Sequence, residues 1–455
     1  MENKNKIASE TTRLGAAPIS GLLWKFALPS IITLLVGVIY TATDRFFIGR
    51  VLGDTGIAAL GVAAPMIMFY LALNVFCGTG GNTMFSMRLG SGDIDKANRI
   101  FRNTIWMQII FVGTYLLFGS IFMSEILTAS GASAHTLPLA RTYLTILFFG
   151  IGFDMVSIGL NQFVRSMGRP IRAMINSVTG ISLNILLAYV FVIRMGMGIA
   201  GAGMATAISM FVVFLMVATS FFHSVVKFKF APPKISTMSK IGKYGASPLL
   251  VNVSFAVYAF IVNGIMATHG GDFAIGAWAI AITIEQFFTL PVFGFTQAMQ
   301  SIAGYNWGAS KFRRVRKTLT QTVVTTEIWM IAASVAVFVV GTRLTGLFGD
   351  GESAAMAAKF LRVFVFGYPA LALVFVFGIY MNTVGYYKRA LVLNFMRTIG
   401  FLIPLIWIFS KIWGINGTIT AIPLANYMTA TIAIILMVAP WKRLSHRARV
   451  ELDEV

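Results

Sequence analysis

The sequence contains an internal repeat whose two copies lie about 218 residues apart. A glycine followed by a basic turn at residues 88–99 returns at residues 306–317. Later in each copy, Gly168 corresponds to Gly385. A duplication that extends over the whole chain predicts two similar halves that face each other across a central interface.

Hydrophobic residues make up 57% of the 455 residues and charged residues only 11%, which predicts a membrane protein. Most of the long apolar segments reach the ~20 residues that a helix needs to cross a bilayer. We therefore predict an all-α polytopic membrane protein with twelve transmembrane helices in two six-helix bundles, related by a parallel pseudo-twofold repeat. The predicted spans are 20–47, 57–82, 98–124, 139–164, 170–194, 199–225, 243–268, 274–303, 318–345, 357–384, 390–411 and 416–440.

The net charge of +20 follows the predicted membrane topology. With the N-terminus inside, 27 Lys and Arg residues fall on the inner side and eight on or near the outer side. Because positive charge accumulates on the cytoplasmic side, both termini are expected there. The excess charge suits an anionic lipid surface, and it lacks the interleaved aromatic residues that a nucleic-acid surface needs.

The repeat and the charge pattern together divide the chain into five parts. We predict a cytoplasmic N-terminal tail, an N-terminal six-helix bundle, a cytoplasmic linker, a C-terminal six-helix bundle and a cytoplasmic C-terminal tail. Their boundaries are 1–19, 20–225, 226–242, 243–440 and 441–455.

Asp44 is the strongest functional candidate, because an ionised carboxylate inside a bilayer costs roughly 2.5–3.5 kcal/mol. At helical spacing it shares a face of span one with Tyr40 and Thr41. Arg45 cannot neutralise it within the helix, since adjacent residues point about 100° apart. Asp44 therefore needs a partner on another span, a bound cation or a proton, unless it is a structural aspartate near the outer interface.

Two further spans of the first half carry polar residues at mid-membrane positions. Asp154 and Asn161 share a face of span four, and Asn184 lies on span five. These side chains could converge with Asp44 inside the N-terminal bundle. Asp44, Asn184 and Asp154 form the candidate cation-coupling site, with H⁺ or Na⁺ as the ion.

The second half carries different polar residues. The repeat pairs Asn263 with Asp44, and Glu285 lies on span eight. Arg397 lies eight residues beyond the pair Lys388-Arg389, roughly 12 Å into the bilayer. Arg397 either extends to the interface or pairs with Glu285, which otherwise forms a helix–helix hydrogen bond. The candidate substrate cavity comprises Tyr40, Thr41, Asn161, Glu285, Asn263 and Arg397.

The sequence argues against a membrane-embedded enzyme. The four histidines lie at span ends, in loops or in the tail, and no nucleophile–base or metal-ligand spacing is present. Cys77 is the only cysteine, which excludes an intramolecular disulfide or a thiolate metal site. We expect no enzymatic activity, no cofactor and no resident metal.

Several motifs resemble the multidrug and toxic compound extrusion (MATE) family. They are the segment 44–49 that ends span one, the segment 160–168 that ends span four, and the glycine-containing turn 304–309 after span eight. Arg397 with Pro404 in span eleven resembles the bacterial branch that carries an arginine there. The resemblance covers nearly the whole chain.

The resemblance implies twelve helices in two V-shaped bundles and export of bulky, often cationic and aromatic compounds in exchange for protons or sodium ions by alternating access. Asp44 matches the span-one carboxylate implicated in cation coupling, and Asn184 matches a polar neighbour in span five. Many relatives place an aspartate four residues after that asparagine, where this chain has Ala188. Asp154 could replace the missing carboxylate.

The same resemblance implies a multi-pass protein of a bacterial or archaeal cell membrane that handles small molecules. We expect a monomer in the lipid bilayer, with no nucleic-acid partner. A flippase or exporter of the same fold that moves a lipid-linked precursor or a native metabolite is the alternative. A passive channel would differ by showing no uphill movement under an ion gradient.

Overall fold

The structure is a computed structural model that contains only helices and their connections in the part of the chain it describes. It describes residues 13–222, 224, 226, 231–347 and 351–453, without the side chains of Thr41, Ala42, Asp272, Leu452 and Asp453. The principal helices are α1 (Ile19–Gly90), α2 (Ile94–Ile121), α3 (Met123–Ala129), α4 (Thr136–Ser166), α5 (Pro170–Ala188), α6 (Gly198–Thr219), α7 (Ile235–Gly308), α8 (Phe312–Gly346), α9 (Glu352–Phe364), α10 (Tyr368–Thr383), α11 (Tyr387–Phe395) and α12 (Ile403–Asp453).

Short segments of other helix types connect some of these elements without interrupting the spans. The π-helical segment Tyr189–Arg194 continues α5, and the 3₁₀ segment Val365–Gly367 joins α9 to α10. A second π-helical segment, Met396–Leu402, joins α11 to α12. It contains Arg397, so this half-buried arginine lies where the regular α-helical hydrogen bonding is altered.

The predicted number of twelve spans is confirmed. Ten helical stretches of the described chain are long and apolar enough to cross a membrane. Two of them, Ile19–Gly90 and Tyr387–Glu451, are long enough for two crossings, with breaks at Gly53 and Gly414. Spans one and two therefore meet at a single residue, without the loop expected between residues 47 and 57.

Gly53 shows why such a break requires glycine. Its backbone has φ 60° and ψ −152°, a region that is open essentially to glycine alone because a Cβ atom would clash with the backbone. Gly271, in the second half, has φ 58° and ψ −153°. The two residues are 218 positions apart, so the predicted repeat is confirmed in backbone geometry as well as in sequence.

The turns on the opposite side of the membrane repeat in the same way. Gly92 has φ 74° and its counterpart Ser310 has φ 58°, while Gly168 and Gly385 have φ 92° and 95°. Together with Gly53 and Gly271, these residues fix the register of the two halves at 218 positions in spans one and two, and at 217 positions near Gly168.

The chain divides into two compact units. Unit 1 contains Met1–Ala16 and Ile32–Gly245, and unit 2 contains Ala17–Ile31 and Ala246–Val455. The first half of span one thus packs with unit 2, where the Trp24 ring lies edge-on against Phe295 with centroids 4.9 Å apart. The sequence-based domain boundaries at 20–225 and 243–440 stay a prediction.

The predicted linker 226–242 and C-terminal tail 441–455 are partly described. In unit 1, Ala231 and Lys234 are fixed to α2 by hydrogen bonds, from Trp106 Nε1 to the Ala231 carbonyl at 3.1 Å and from the Lys234 amide to Asn103 Oδ1 at 2.6 Å. In unit 2, α12 continues to Asp453 through most of the predicted tail. Residues 227–230 and 454–455 lie outside the described part.

Packing inside unit 1 brings the polar spans close together. Span four (α4) and span six (α6) approach so closely at Gly150 that a Cβ atom there would lie 2.7 Å from the Cα of Ala207. Small residues at such a contact let helix backbones approach within a membrane, where lipid-facing surfaces give little drive for association. This contact sets the distance between the polar side chains described next.

Candidate functional site

Asp44 lies in a group of hydrogen-bonding side chains contributed by spans one, five and six of unit 1. Tyr40 lies one turn before Asp44 on α1, and its hydroxyl interacts by hydrogen bonding with the Asp44 carboxylate and with Thr206 on α6. No Lys or Arg of the described chain is among the groups that interact with Asp44. The carboxylate is therefore held by a neutral partner and keeps its need for a cation or a proton.

Asn184 of α5 joins the same group. Its Nδ2 atom donates to Thr206 Oγ1 at 2.9 Å, and its Oδ1 atom is buried without a hydrogen-bond partner in the described structure. Tyr143 of α4 also interacts with Thr206 and with the charge of Asp44. The prediction that Asn184 lies near Asp44 is thus supported by shared contacts through Thr206.

Asp154 forms a second acidic position in unit 1. The Tyr70 hydroxyl donates to Asp154 Oδ2 at 3.0 Å, and both residues are at most 9% exposed. Tyr70 in turn interacts electrostatically with Tyr40 and Tyr143. Each carboxylate thus has its own tyrosine, and the two tyrosines lie close enough to interact electrostatically. We name Asp44, Asp154, Tyr40, Tyr70 and Tyr143 the tyrosine–aspartate cluster.

Asn161 and Thr41 are two of the residues predicted to line the substrate cavity, and the structure describes the side chain of Asn161 only. Asn161 donates to the Ala173 carbonyl at 2.9 Å and to Ser177 Oγ at 3.0 Å, and accepts from Asn176 at 3.1 Å. Its amide thus ties the end of α4 to the start of α5. The Thr41 side chain lies outside the described residues, so its predicted role is not addressed by the structure.

Unit 2 contains a different cluster, centred on Arg397. The guanidinium carbon lies 4.6 Å from the Phe375 ring centroid and 5.3 Å from that of Phe255. Glu285 interacts electrostatically with Arg397, and Tyr258 with both. The aromatic rings thus hold the cation inside the unit, in the neighbourhood of Glu285.

The two sequence-based alternatives for Arg397 were extension to the interface and pairing with Glu285. Although both residues lie in the described chain, no ion pair of 4.0 Å or less joins them. Their charges interact across a longer separation. Asn263 lies on an exposed face of α7 and is not among the described groups that interact with either charge.

The backbone register corrects the pairing of Asp44 with Asn263. Since Gly53 and Gly271 are equivalent and 218 positions apart, Asp44 corresponds to Val262. Val262 is fully buried in the hydrophobic core of unit 2. The predicted pairing of Asp44 with Asn263 is one residue out of register, because it aligned two polar residues of the repeat with each other.

Sequence reasoning missed three members of the tyrosine–aspartate cluster and its surroundings: Tyr70, Tyr143 and Thr206. Each is at most 5% exposed, and no motif around it marks a site. Their polar hydroxyls inside predicted spans were the available signal, but hydroxyls within helices often bond to their own backbone. Only the packing of α4 and α6 identifies their partners.

The oxygen atoms around Asp44 suit a small hard cation as well as a proton. Carboxylate, amide and hydroxyl oxygens come from Asp44, Asn184, Tyr40 and Thr206, and hard cations prefer oxygen ligands. In the part of the chain that the structure describes, no group of three or more His, Cys, Asp or Glu side chains is placed to hold a metal ion.

Interior carboxylates in a polytopic chain of two repeated units define the class of membrane transport proteins. The sequence profile of the MatE family matches residues 29–190 and 248–408. The chain belongs to the MatE family. Multidrug export protein MepA of Staphylococcus aureus (strain MSSA476) is 26% identical over 428 residues, which cover 92% of this chain and 94% of that protein.

Solved structures agree with this family at the level of the fold. The outward-facing conformation of a multidrug resistance MATE family transporter of the MOP superfamily aligns with a TM-score of 0.88 and 20% identity, covering 96% of this chain and 98% of that one. A MOP superfamily transporter from Pyrococcus furiosus aligns with a TM-score of 0.87 and 22% identity over 96% and 98% of the two chains. The predicted family and fold class are confirmed.

Proposed function

We propose that the protein is a secondary active antiporter that exports bulky, often cationic or aromatic compounds from the cytoplasm in exchange for H⁺ or Na⁺. Its membership of the MatE family and its full-length similarity to a multidrug export protein support this function. The export cycle proceeds by alternating access, in which a binding site opens first to one side of the membrane and then to the other.

The observation that carries the proposal is the Asp44 site. A carboxylate held by a tyrosine hydroxyl, with no basic partner, has two states of different charge: ionised, or neutralised by a proton or a sodium ion. Neutralisation changes what Tyr40 donates to, and so changes the hydrogen bonds that Tyr40 and Thr206 make across spans one and six. A local charge change is thereby converted into a change of helix packing.

Asp154 supplies the second carboxylate of the coupling site. Ala188 stands where many relatives have an aspartate, so span five contributes only Asn184. Asp154 approaches from span four, and its partner Tyr70 lies near Tyr40, the partner of Asp44. Loss or gain of an ion at one carboxylate changes the electrostatic field at the other, so the two positions respond together.

The proposal includes a cellular setting, which the charge distribution and the similarity to a bacterial export protein support. The protein functions in the bacterial or archaeal cell membrane, with both termini in the cytoplasm, as a monomer surrounded by lipid. It needs no cofactor besides the coupling ion and performs no enzymatic reaction. Small molecules are its cargo.

Transport by purified protein in proteoliposomes tests the proposal. An aromatic cationic dye is loaded on the side that corresponds to the cytoplasm, and a proton gradient or a sodium gradient is imposed in separate preparations. We expect uphill movement of the dye under at least one gradient, and the effective gradient identifies the coupling ion. Movement that only equalises the dye concentration under both gradients would show a passive pathway.

Competition distinguishes the cargo. If dye export is unaffected by a large excess of lipid-linked sugar, the cargo is the soluble aromatic compound. Strong competition by the lipid-linked sugar, together with failure to concentrate any dye, contradicts the proposed substrate class and favours a flippase.

A further inference from the structure

Spans nine and twelve carry exposed basic residues at their ends, on the side where both termini are proposed to lie. Arg316 and Lys317 directly precede predicted span nine, and Lys442 and Arg443 lie two and three residues beyond predicted span twelve. All four side chains are exposed. At a helical rise of about 1.5 Å per residue, they lie within about one turn of the hydrocarbon region, which is the level of the lipid headgroups.

Packing between α8 and α12 brings the two basic pairs to the same end of unit 2. Leu444 is fully buried and belongs to the same hydrophobic cluster as Val315. Leu444 follows Arg443 in the chain, and Val315 precedes Arg316. The pair of each helix therefore lies beside the packed apolar residues that join the two helices. We name the four basic residues the juxtamembrane patch: Arg316, Lys317, Lys442 and Arg443.

Two further contacts hold the end of α12 against the start of α8. The guanidinium carbon of Arg447 lies 5.1 Å from the Phe312 ring centroid and 5.5 Å from that of Trp307. Glu451 Oε2 accepts from the Arg313 amide at 2.8 Å. The juxtamembrane patch is thus carried by a packed pair of helices, so its charges keep fixed relative positions.

The juxtamembrane patch has no acidic residue beside it to balance its charge. Neither segment 311–317 nor segment 441–450 contains Asp or Glu. Within the described chain, none of the four patch residues forms an ion pair. Like charges at one surface repel each other over the Debye length, about 8 Å at physiological ionic strength, and an anionic surface relieves that repulsion.

The equivalent turn of unit 1 has a different charge pattern. Asn98 stands where unit 2 has Arg316, and Asp93 forms an ion pair with Lys96 at 2.7 Å. In addition, α6 ends with its span, whereas α12 continues beyond its own. The general excess of basic residues on the inner side of membrane proteins applies to both units. It therefore does not explain why the unbalanced surface is confined to unit 2.

We propose that the juxtamembrane patch binds an anionic phospholipid of the surrounding bilayer, whose phosphate group accepts from basic side chains of both helices. Guanidinium and ammonium groups are common partners of phosphate in proteins. Trp441 immediately precedes the α12 pair and is 38% exposed, and tryptophan is enriched at the membrane–water interface. The lipid is a partner of the protein, and its binding depends neither on the exported compound nor on the coupling ion.

A lipid titration followed by native mass spectrometry tests the inference. Purified protein in detergent receives phosphatidylglycerol, which is anionic, or phosphatidylcholine with the same acyl chains, which is zwitterionic. The masses give the dissociation constant of the first lipid bound. We expect the wild-type protein to bind phosphatidylglycerol more tightly. Replacing all four patch residues with Gln should weaken phosphatidylglycerol binding at least about tenfold and leave phosphatidylcholine binding unchanged, because the charge-assisted contacts are lost.

Two double variants test whether the helices form one site. Arg316→Gln with Lys317→Gln removes the pair on α8, and Lys442→Gln with Arg443→Gln removes the pair on α12. If one lipid contacts both helices, each double variant should weaken the first dissociation constant for phosphatidylglycerol by about threefold or more. A wild-type value in either double variant would mean that the remaining pair binds the lipid alone, and would overturn the joint site.

A second quadruple variant controls for the loss of four positive charges. It replaces with Gln four exposed basic residues of unit 2 on the side predicted to face outward: Arg343, Lys359, Arg362 and Lys411. The preference for phosphatidylglycerol should stay at its wild-type value. Equal weakening by the two quadruple variants, or a wild-type protein that binds both lipids equally, would show that the juxtamembrane patch is not a lipid site.

Discussion

The two units share a backbone but differ in chemistry at the equivalent positions of their helices. Where unit 1 has the acids and hydroxyls of the proposed coupling site, unit 2 has apolar residues that belong to its hydrophobic core or pack against it. The equivalent pairs, at offsets of 218, 217 and 216 set by the left-handed glycines, are Asp44 and Val262, Tyr70 and Phe288, Asp154 and Leu371, and Thr206 and Ile422.

The two units therefore share the glycine breaks and turns of the backbone, while their interior side chains differ. Three of the positive-φ glycines of the first copy recur as glycines in the second, and Gly92 recurs as Ser310, which keeps the positive φ. Interior side chains are constrained only by packing and by the need to satisfy polar groups. The Arg397 cluster of unit 2 also differs from the equivalent part of unit 1, where the apolar Ile67 corresponds to Glu285.

Tyr40 and its counterpart Tyr258 are the exception to this divergence. Tyr40 interacts with Asp44, and Tyr258 interacts with Glu285 and Arg397. A tyrosine at this position therefore contacts the charged group of each unit, although the charged groups occupy different positions. A change in the charge of either cluster therefore acts on the tyrosine of span one or of span seven.

The shared backbone can be tested at its most constrained residue. We expect Gly53→Ala and Gly271→Ala each to destabilise the protein by about 2 kcal/mol, because a Cβ atom is strained at these backbone angles. A thermal-shift assay in detergent should show similar decreases in the apparent Tm for the two variants. A large effect at one position and none at the other would break the equivalence of the two units.

Gly61→Ala is the matched control for these substitutions. Gly61 lies within α1, and a Cβ atom there would contact nothing within 4 Å. Alanine is favoured over glycine in a helix, so the variant should be unchanged or slightly more stable.

The divergent chemistry can be tested by giving unit 1 the residue that unit 2 has. Tyr70→Phe mimics Phe288 and removes the hydroxyl that donates to Asp154 at 3.0 Å. We expect ion-driven dye export to fall about tenfold, since a hydrogen bond to a charged group is lost. The rate is measured in proteoliposomes under the gradient that drives the wild-type protein.

Tyr115→Phe controls for loss of a buried hydroxyl in the same unit. The Tyr115 hydroxyl donates to the Met66 carbonyl at 3.0 Å and does not contact an acid. Export by this variant should stay within about twofold of wild type, because loss of this neutral hydrogen bond affects stability and removes no donor from a carboxylate. Equal losses in the two variants would contradict a specific role for the contact between Tyr70 and Asp154.

The smallest difference between the units concerns how two equivalent helices are capped. In unit 1, Asp93 Oδ1 accepts from the Lys96 amide at 3.1 Å at the start of α2, and the hydrogen bond from the Lys96 side chain holds the pKa of Asp93 below its ordinary value. In unit 2, Lys311 stands at the corresponding N-cap position of α8. There Glu451, near the end of α12, accepts from the Arg313 amide at 2.8 Å.

Each acid accepts one backbone amide that the first turn of its helix leaves unpaired. Asp93→Ala and Glu451→Ala should therefore lower the apparent Tm by similar small amounts, although the two acids lie in unrelated parts of the sequence. A variant shortened before residue 446 should reproduce the effect of Glu451→Ala or exceed it, since it also removes the contact of Arg447 with Trp307 at 5.5 Å. A stability change from Asp93→Ala alone would contradict this equivalence.

The sequence predicted the parts of the fold that depend on long apolar segments and on repeated turns. Twelve spans followed from hydrophobicity, and the repeat followed from glycine positions that the backbone geometry requires. The break at Gly53 was not predicted, because a helix-breaking glycine and a short loop look alike in sequence. The helical extension to Asp453 was not predicted, because charged residues mark the end of a membrane span but not the end of a helix.

For the candidate site, the sequence identified the charged residues but not their partners. Asp44, Asp154, Glu285 and Arg397 were found because charge is costly inside a membrane. Their neutral partners depend on how α4, α6 and α10 pack, which no periodicity in one helix reveals. The role of Asn263 was inferred from polarity alone, and the register of the backbone then assigned its place to Val262.

The central claim is that unit 1 binds the coupling ion and unit 2 does not. The direct measurement compares Asp44→Asn with Glu285→Gln, each reconstituted in proteoliposomes, for uphill export of the ethyl ester of rhodamine B under the effective gradient. We predict that Asp44→Asn inserts and binds dye but exports none uphill, while Glu285→Gln still concentrates the dye at a lower rate. Undiminished uphill export by Asp44→Asn, or its loss only in Glu285→Gln, would contradict the account.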